Sequence, residues 1–340
     1  MKQWNVVITG FGTVGKQAAR LLAQRQGYYR EKYDADVRLV GAVRSTSGLY
    51  DVNGLGEEAL LEWGAAGKRG DSTFSGCEFL ASSHADILIE TGPSDLKTGG
   101  PGLTYIKQAL EQGMHAIAVS KGALVVDYAG LSALAKQKGV NLKISGATAA
   151  ALPTIDLLQY NFAGCQILGI EGVFTGTTNF VLTKMMEEGI TSEEAILRAQ
   201  QMGIAEPDPS FDIDGWDTAC KVTILANAAF DAQVKLSDVS RASVREVTDE
   251  QIASWKAAGL TPKLIGSIQK TPQGIKAAVE LQAVDAAHPF ATVKGTTKAV
   301  RVETDVMGEL LVIGGKSDPV AAAAAALKDL EHIIRGQRAY

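Results

Sequence analysis

At 340 residues the chain is longer than one hydrophobic core comfortably fills, so two domains are expected. A net charge of −5, with 46% hydrophobic and 21% charged residues, provides no basic face to follow a phosphate backbone and excludes nucleic acid as a partner class. The longest apolar runs, such as LGIEGVF and VAAAAAAL, are too short or too alanine-rich to span a bilayer, and the N-terminus enters a strand without a basic leader, so a cytoplasmic protein off the membrane is expected.

In chain order, WNVVITG reads as a buried strand, and KQAARLLAQRQ carries apolar residues at helical spacing. VRLVGAV is a second strand and ADILIET a third. GLTYIKQALEQG follows as a helix ending on Gly113, then come strands HAIAVS and VNLKISG. Strands alternating with helices predict βαβ units and a parallel, doubly wound sheet of the Rossmann type. Beyond residue 150 the pattern changes. GIEGVFTGTTNFVL reads as a strand and loop opening a helix, and TSEEAILRAQQMG as a helix capped by Thr191, with Glu194 three residues on and Gly203 at its end. LIGSIQK, IKAAVELQAV, KAVRVETD and ELLVIGG then predict a mainly antiparallel sheet within an α+β domain. A last helix, Lys316–Gly336, is apolar on most faces and should pack rather than project. Three scattered cysteines (Cys77, Cys165, Cys220) argue against a disulfide framework, and the four histidines have no partner at metal-ligand spacing, so no metal is expected.

Two stretches carry chemistry. TGFGTVGK places Gly10, Gly12 and Gly15 in a G-x-G-x-x-G pattern with Thr13 and Val14 between them. The pattern follows a strand and opens a helix at the head of a βαβ series, the context that marks a dinucleotide site. One glycine makes the turn, one lets the backbone approach a pyrophosphate, and one lets helix and strand close up. The second strand ends at Arg44, followed by Ser45; a basic residue there suits a ribose 2′-phosphate, so NADP is expected ahead of NAD, against the plainer reading of a solvated arginine.

The second stretch, AEPDPSFDIDGWDTACK (205–221), crowds five carboxylates into the approach to, and first turn of, an apolar helix beginning near Trp216. Asp217 and Lys221 are four apart and share a helix face. Spacing alone describes an exposed ion pair; the almost uncharged helix around it favours a partly buried lysine that needs a partner and could transfer a proton.

GIAEPDPSFDIDGWDTACKVTILA closely resembles the signature of homoserine dehydrogenases, A-E-x-D-P-x-x-D-x-x-G-x-D-x-x-x-K. GVFTGTTNFVLTKM (172–185), TGPSDLKTGGPGLTYIKQALEQGMHAIAVSKGAL (91–124) and GFGTVG are similar to further segments of that family. The resemblance implies NAD(P)-dependent interconversion of L-homoserine and L-aspartate 4-semialdehyde, a step toward threonine and methionine, in a homodimer. It implies Lys221 as proton donor and acceptor, Asp217 orienting it, Lys121 near nicotinamide and substrate, and Glu206 holding the substrate ammonium. Asp212, Thr175, Gly176 and Thr177 complete the implied substrate pocket. Thr91, Ser120 and Gly314 join the glycine loop, Arg44 and Ser45 as implied cofactor contacts. The chain departs from the family in having Ser120 where Asn is usual and SGATAAALP at 145–153 in place of a segment whose Glu marks a monovalent-cation site, which is not carried over. No C-terminal regulatory domain, and so no feedback through one, is expected.

The expected architecture is a dinucleotide-binding domain at 1–145, completed by the helix at 316–340, and a catalytic and dimerisation domain at 146–315. Two other readings compete. The altered 145–153 segment prompts a dehydrogenase for another amino acid with a hydroxyl or aldehyde, and a third possibility is an NADP-binding sensor without catalysis.

Overall fold

The apolar runs of the first third become strands with little exposed surface, as required where helices cover a parallel sheet. The computed structural model describes residues 1–65 and 76–336. Two compact units emerge, Met1–Ala150 with Asp318–Tyr340, and Ala151–Ser317. Among the described residues no helix is long and apolar enough to cross a membrane.

The first unit runs β1 (Lys2–Thr9), α1 (Thr13–Tyr33), β2 (Ala35–Val43), β3 (Gly48–Tyr50), α2 (Glu57–Ala65), α3 (Gly76–Ser82), β4 (Ile87–Glu90), α4 (Gly100–Glu111), β5 (His115–Ala118), α5 (Gly122–Lys138) and β6 (Leu142–Lys143). Its sheet order is β3-β2-β1-β4-β5-β6. All pairs are parallel except β3, which folds back on β2. The order reverses at β1, so the loops after β1 and β4 diverge and leave the crevice in which such sheets bind ligands.

The second unit runs α6 (Thr154–Asp156) into a π turn, then β7 (Ile167–Val173), α7 (Gly176–Glu188), α8 (Ser192–Gln201), α9 (Ser210–Ile213), α10 (Trp216–Phe230), β8 (Ser240–Arg241), α11 (Asp249–Ala257), β9 (Thr261–Thr271), β10 (Gly274–Val284), β11 (Lys298–Thr304) and β12 (Glu309–Gly314). Its sheet order is β12-β11-β7-β9-β10-β8, antiparallel but for β8 along β10. Glycine clears the ground for the helix that lies on this sheet. A methyl on Gly266 of β9 would come within 2.6 Å of Val222 and 3.0 Å of Thr218, both on α10. Its partner in register, Gly172 of β7, leaves the same room for the Phe174 ring.

The last helix, α12 (Pro319–Ile334), belongs to the first unit. Ala323, Ala326, Leu327, Leu330 and Ile333 join one core with Ala18, Leu22 and Tyr29 of α1. It is shorter than the expected 316–336 because Asp318 caps it, accepting from the Ala321 N–H at 2.7 Å, with Pro319 at the first helical position. Residues 337–340 of the broader expectation lie outside the described residues. Conversely, α1 outruns its eleven-residue motif and passes Gly27 to reach Tyr33, whose hydroxyl donates to Glu331 at 2.7 Å. Packing against α12 there outweighs a glycine's cost of about 1 kcal/mol. The strand expected over VNLKISG lasts two residues, because the Ser145 N–H turns away to Asp329 Oδ2 at 3.0 Å.

Candidate active site

The helix α10 begins where the acidic stretch ends. Gly215 caps it at φ +78°, a left-handed conformation natural to glycine, and a Cβ there would lie 2.6 Å from the Ala242 carbonyl. The loop is pinned around Asp214: its carboxylate accepts from Ser243 Oγ at 2.9 Å, and Arg241 donates to its carbonyl while stacking on Trp216. Asp208 turns the chain by accepting from the Ser210 N–H at 3.1 Å. These two acids shape the loop that presents the others.

One turn into α10, Lys221 Nζ donates to Asp217 Oδ2 at 2.6 Å and to the Phe174 carbonyl at 2.8 Å. The two side chains are only 10% and 8% exposed, so this is a buried ion pair and not a solvated one. Removing either partner would leave a buried charge uncompensated. Asp217 Oδ2 also accepts from Thr175 Oγ1 at 2.6 Å, and Thr175 lies 3.0 Å from Thr218 Oγ1. Thr177 Oγ1, in the first turn of α7, donates to Asp212 Oδ2 at 2.6 Å. The β7–α7 junction, with Gly176 between the two threonines, and the α9–α10 corner thus meet in one polar cluster inside an apolar helical layer. Glu206 stands apart on an exposed turn, its carbonyl accepting from Gln200.

In the first unit, Gly10 follows β1 at φ +78° and packs against the loop after β4, where an added Cβ would sit 2.3 Å from the Gly92 nitrogen. At Gly15 a Cβ would lie 2.7 Å from the Gly10 carbonyl and 2.8 Å from Thr91 Oγ1, itself a donor to the Thr9 and Gly10 carbonyls. Gly12 and Thr13, by contrast, are exposed, and a Cβ on Gly12 would meet only the Gly10 carbonyl, at 4.0 Å. Gly12 caps α1 without a side-chain hydrogen bond, and no acid occupies the first turn that Thr13 and Val14 open. An open approach to unfilled helix N–H groups is what a pyrophosphate requires, so the loop fits a dinucleotide.

Beyond β2, Arg44 and Ser45 enter the turn to β3, closed by the Arg44 N–H to the Ser47 carbonyl at 2.8 Å. The Arg44 guanidinium lies over the Trp63 ring, 4.3 Å from its centroid, and Trp63 in turn packs on Phe11 of the glycine loop. Lys121 leads into α5, its N–H donating to Ser94 Oγ at 2.9 Å. Gly314 lies in the other unit, at the end of β12 with φ +136°. Ser145, the first residue of the altered segment, donates from N and Oγ to the buried Asp329.

Three participants were missed in the sequence. The Phe174 carbonyl leaves no trace in a side-chain pattern, and Trp63 sits in a stretch without a motif. Glu90 did leave one: a carboxylate closing the otherwise apolar strand ILIE. It is 1% exposed, and accepts from Ser120 Oγ at 2.5 Å and from the Gly92 N–H at 2.6 Å. Burial pushes its carboxyl above the usual range, and hydrogen bonds from Ser120 and Gly92 oppose that shift.

Known families match both halves of the chain. Residues 153–330 fit the model described as homoserine dehydrogenase, and residues 10–145 that described as homoserine dehydrogenase, NAD binding domain. A homoserine dehydrogenase of Methanocaldococcus jannaschii is 34% identical across 98% of this chain and 99% of its own. An NAD(+)-dependent homoserine dehydrogenase of Pseudomonas canavaninivorans is 31% identical across 98% and 97%. A crystal structure of a Thiobacillus denitrificans homoserine dehydrogenase superposes with a TM-score of 0.84 at 26% identity, covering 98% of this chain and 74% of that one. A solved chain from Archaeoglobus fulgidus gives 0.88 at 31% identity, covering 98% and 100%.

Proposed function

The chain belongs to the homoserine dehydrogenase family and interconverts L-homoserine and L-aspartate 4-semialdehyde with NAD(P), and from that premise we propose which residues carry the reaction. The cofactor, when bound, supplies or accepts the hydride. Lys221 moves the proton at the substrate oxygen. Two of its three N–H groups are taken, by Asp217 and the Phe174 carbonyl, and the third is directed to that oxygen. Its charge stabilises the developing alkoxide, and Asp217, steadied by Thr175, holds it in place. Glu206 holds the substrate ammonium from its exposed turn, Asp212 and Thr177 line the same pocket, and Gly176 joins them at the β7–α7 junction, where a Cβ would meet the Thr296 carbonyl at 2.8 Å. Lys121 serves beside nicotinamide and substrate.

The dinucleotide is held by Gly10, Gly12, Thr13, Val14 and Gly15, with Thr91, Ser120 and Gly314 as further contacts. NADP is the first reading, supported by Arg44 held over Trp63 beyond β2, with Ser45 beside it. NAD is the second, favoured by the name of the Pseudomonas relative. We place the enzyme in the cytoplasm, in keeping with three cysteines outside any disulfide, and as a homodimer on a face considered below.

The buried Lys221–Asp217 pair carries this reading. It is tested by following NADPH oxidation with aspartate semialdehyde. Lys221→Ala should lower kcat by about 10²–10⁴ while sparing the KM for dinucleotide. Wild-type turnover no better than that of the variant would overturn the assignment. A panel of other hydroxy- and aldehyde-bearing amino acids should give lower kcat/KM than homoserine.

A further inference from the structure

Glu90 closes β4 beside the crevice between the loops after β1 and β4, and it is hydrogen-bonded to the loop after β4 through Gly92 and to the loop after β5 through Ser120. One carboxylate oxygen takes the N–H of Gly92, whose backbone abuts Gly10 so closely that no side chain fits between them. The other takes the hydroxyl of Ser120, the residue before Lys121. Glycine at 92 and 102 makes room for the carboxylate itself: a Cβ would lie 2.8 Å from Glu90 Oε1 at the first and 3.1 Å at the second. A fully buried carboxylate is costly unless its hydrogen bonds do something that an apolar residue could not. Here a leucine would fill the volume but leave the two loops untied.

We propose that Glu90 is a positioning residue, setting the Gly92 loop against Gly10 for dinucleotide binding and setting Ser120 so that Lys121 enters the site in register. The second half rests on the role given above to Lys121. Glu90 has no need to touch substrate or cofactor. Its action runs through two neighbours, on the dinucleotide KM through Gly92 and on kcat through Ser120 and Lys121. Ser120 stands where the family usually has Asn, and in this chain its hydroxyl makes the tie.

The test compares wild type, Glu90→Ala, Glu90→Gln, Ser120→Ala and the Glu90→Ala/Ser120→Ala double variant of the full chain, with folding checked by circular dichroism and thermal melting. Glu90→Ala should raise the KM for dinucleotide about tenfold and lower kcat about tenfold. Ser120→Ala should lower kcat through Lys121 and, as Ser120 is itself a dinucleotide contact, raise the dinucleotide KM as well. The double variant should match Glu90→Ala in kcat, because without Glu90 the serine no longer sets Lys121. Ser120→Thr, which keeps the hydroxyl, should recover the kcat lost in Ser120→Ala. Independent, multiplying effects of the two substitutions on kcat, or a changed melting temperature with unchanged kcat and KM, would overturn the proposal. Should Glu90→Ala fail to fold, Glu90→Gln retains the volume, but because the Gly92 and Ser120 backbone N–H groups both donate to the carboxylate, its amide must face one fixed donor; unchanged kcat and KM in that variant would overturn it equally. A fully active Lys121→Ala sinks only the reading of Lys121, and Glu90 is then decided by the dinucleotide KM of Glu90→Ala.

Discussion

Lys221 and Asp217 are four residues apart on a helix with almost no other charge, and the structure turns that spacing into a buried pair with two more partners, Thr175 and the Phe174 carbonyl. An exposed i,i+4 pair contributes only a few tenths of a kcal/mol, whereas a buried one has a desolvation cost that function can justify. Arg44 poses a second question at this scale, since an arginine after β2 has value only if its guanidinium is held. Stacking on Trp63 does that, at a strength of about 0.5–2 kcal/mol for cation–π contacts. Arg44→Ala should therefore raise the KM for NADPH about tenfold or more while changing that for NADH little. Paired steady-state measurements decide the matter, and equal effects on the two dinucleotides would remove the basis for choosing NADP.

Among the elements, α7 and β9 share a contact that the reaction does not use. Lys263 of β9 is 1% exposed and donates to Asn179 Oδ1 of α7 at 2.8 Å and to the Val293 carbonyl. Asn179 also donates to the Val293 and Thr297 carbonyls, so the group ties α7 and β9 to the loop before β11. Burial, with a smaller push from Lys294, lowers the ammonium from 10.5 to about 8, against a pull from Glu187. Between those two values the unfolded chain keeps a proton that the folded chain has released. Folding stability should thus rise with pH from about 8 to 10.5, the penalty being complete below that window and gone above it. Unfolding free energies from urea titrations at pH 7.5 and 9.5 should show wild type gaining on Lys263→Met by up to a few kcal/mol. Parallel pH slopes for the two proteins would count against a penalised ammonium at this position.

For the molecule as a whole, β12 is an edge strand of the second unit's sheet, and it exposes Leu310, Leu311 and Ile313. An apolar edge with unpaired backbone is a surface that natural proteins cover. The proposed homodimer covers it with a second copy of the same sheet. Light scattering should give twice the 35.8 kDa of one chain, and Leu311→Lys with Ile313→Lys should shift it toward one. A wild-type monomer at micromolar concentration would dismiss the dimer. The same scale explains the length of α1, which runs on to pack against α12: Tyr33 reaches Glu331, and the alanines of α12 admit the apolar face of α1.

The sequence by itself determined the βαβ start, the antiparallel strands after residue 260 and the glycine loop, because periodicity and backbone freedom are local properties. It also placed Asp217 and Lys221 on one face, since 3.6 residues per turn allows little else. Only the tertiary structure decided that this pair is buried, that a backbone carbonyl is its third member, and that Glu90 ties two loops nearly thirty residues apart. Those outcomes depend on which strands become neighbours. The same holds for β6, where Asp329, nearly two hundred residues away, takes the Ser145 N–H that a longer strand would have used. Desolvation and long-range hydrogen bonding are properties of the assembled neighbourhood, and no window of the chain contains them.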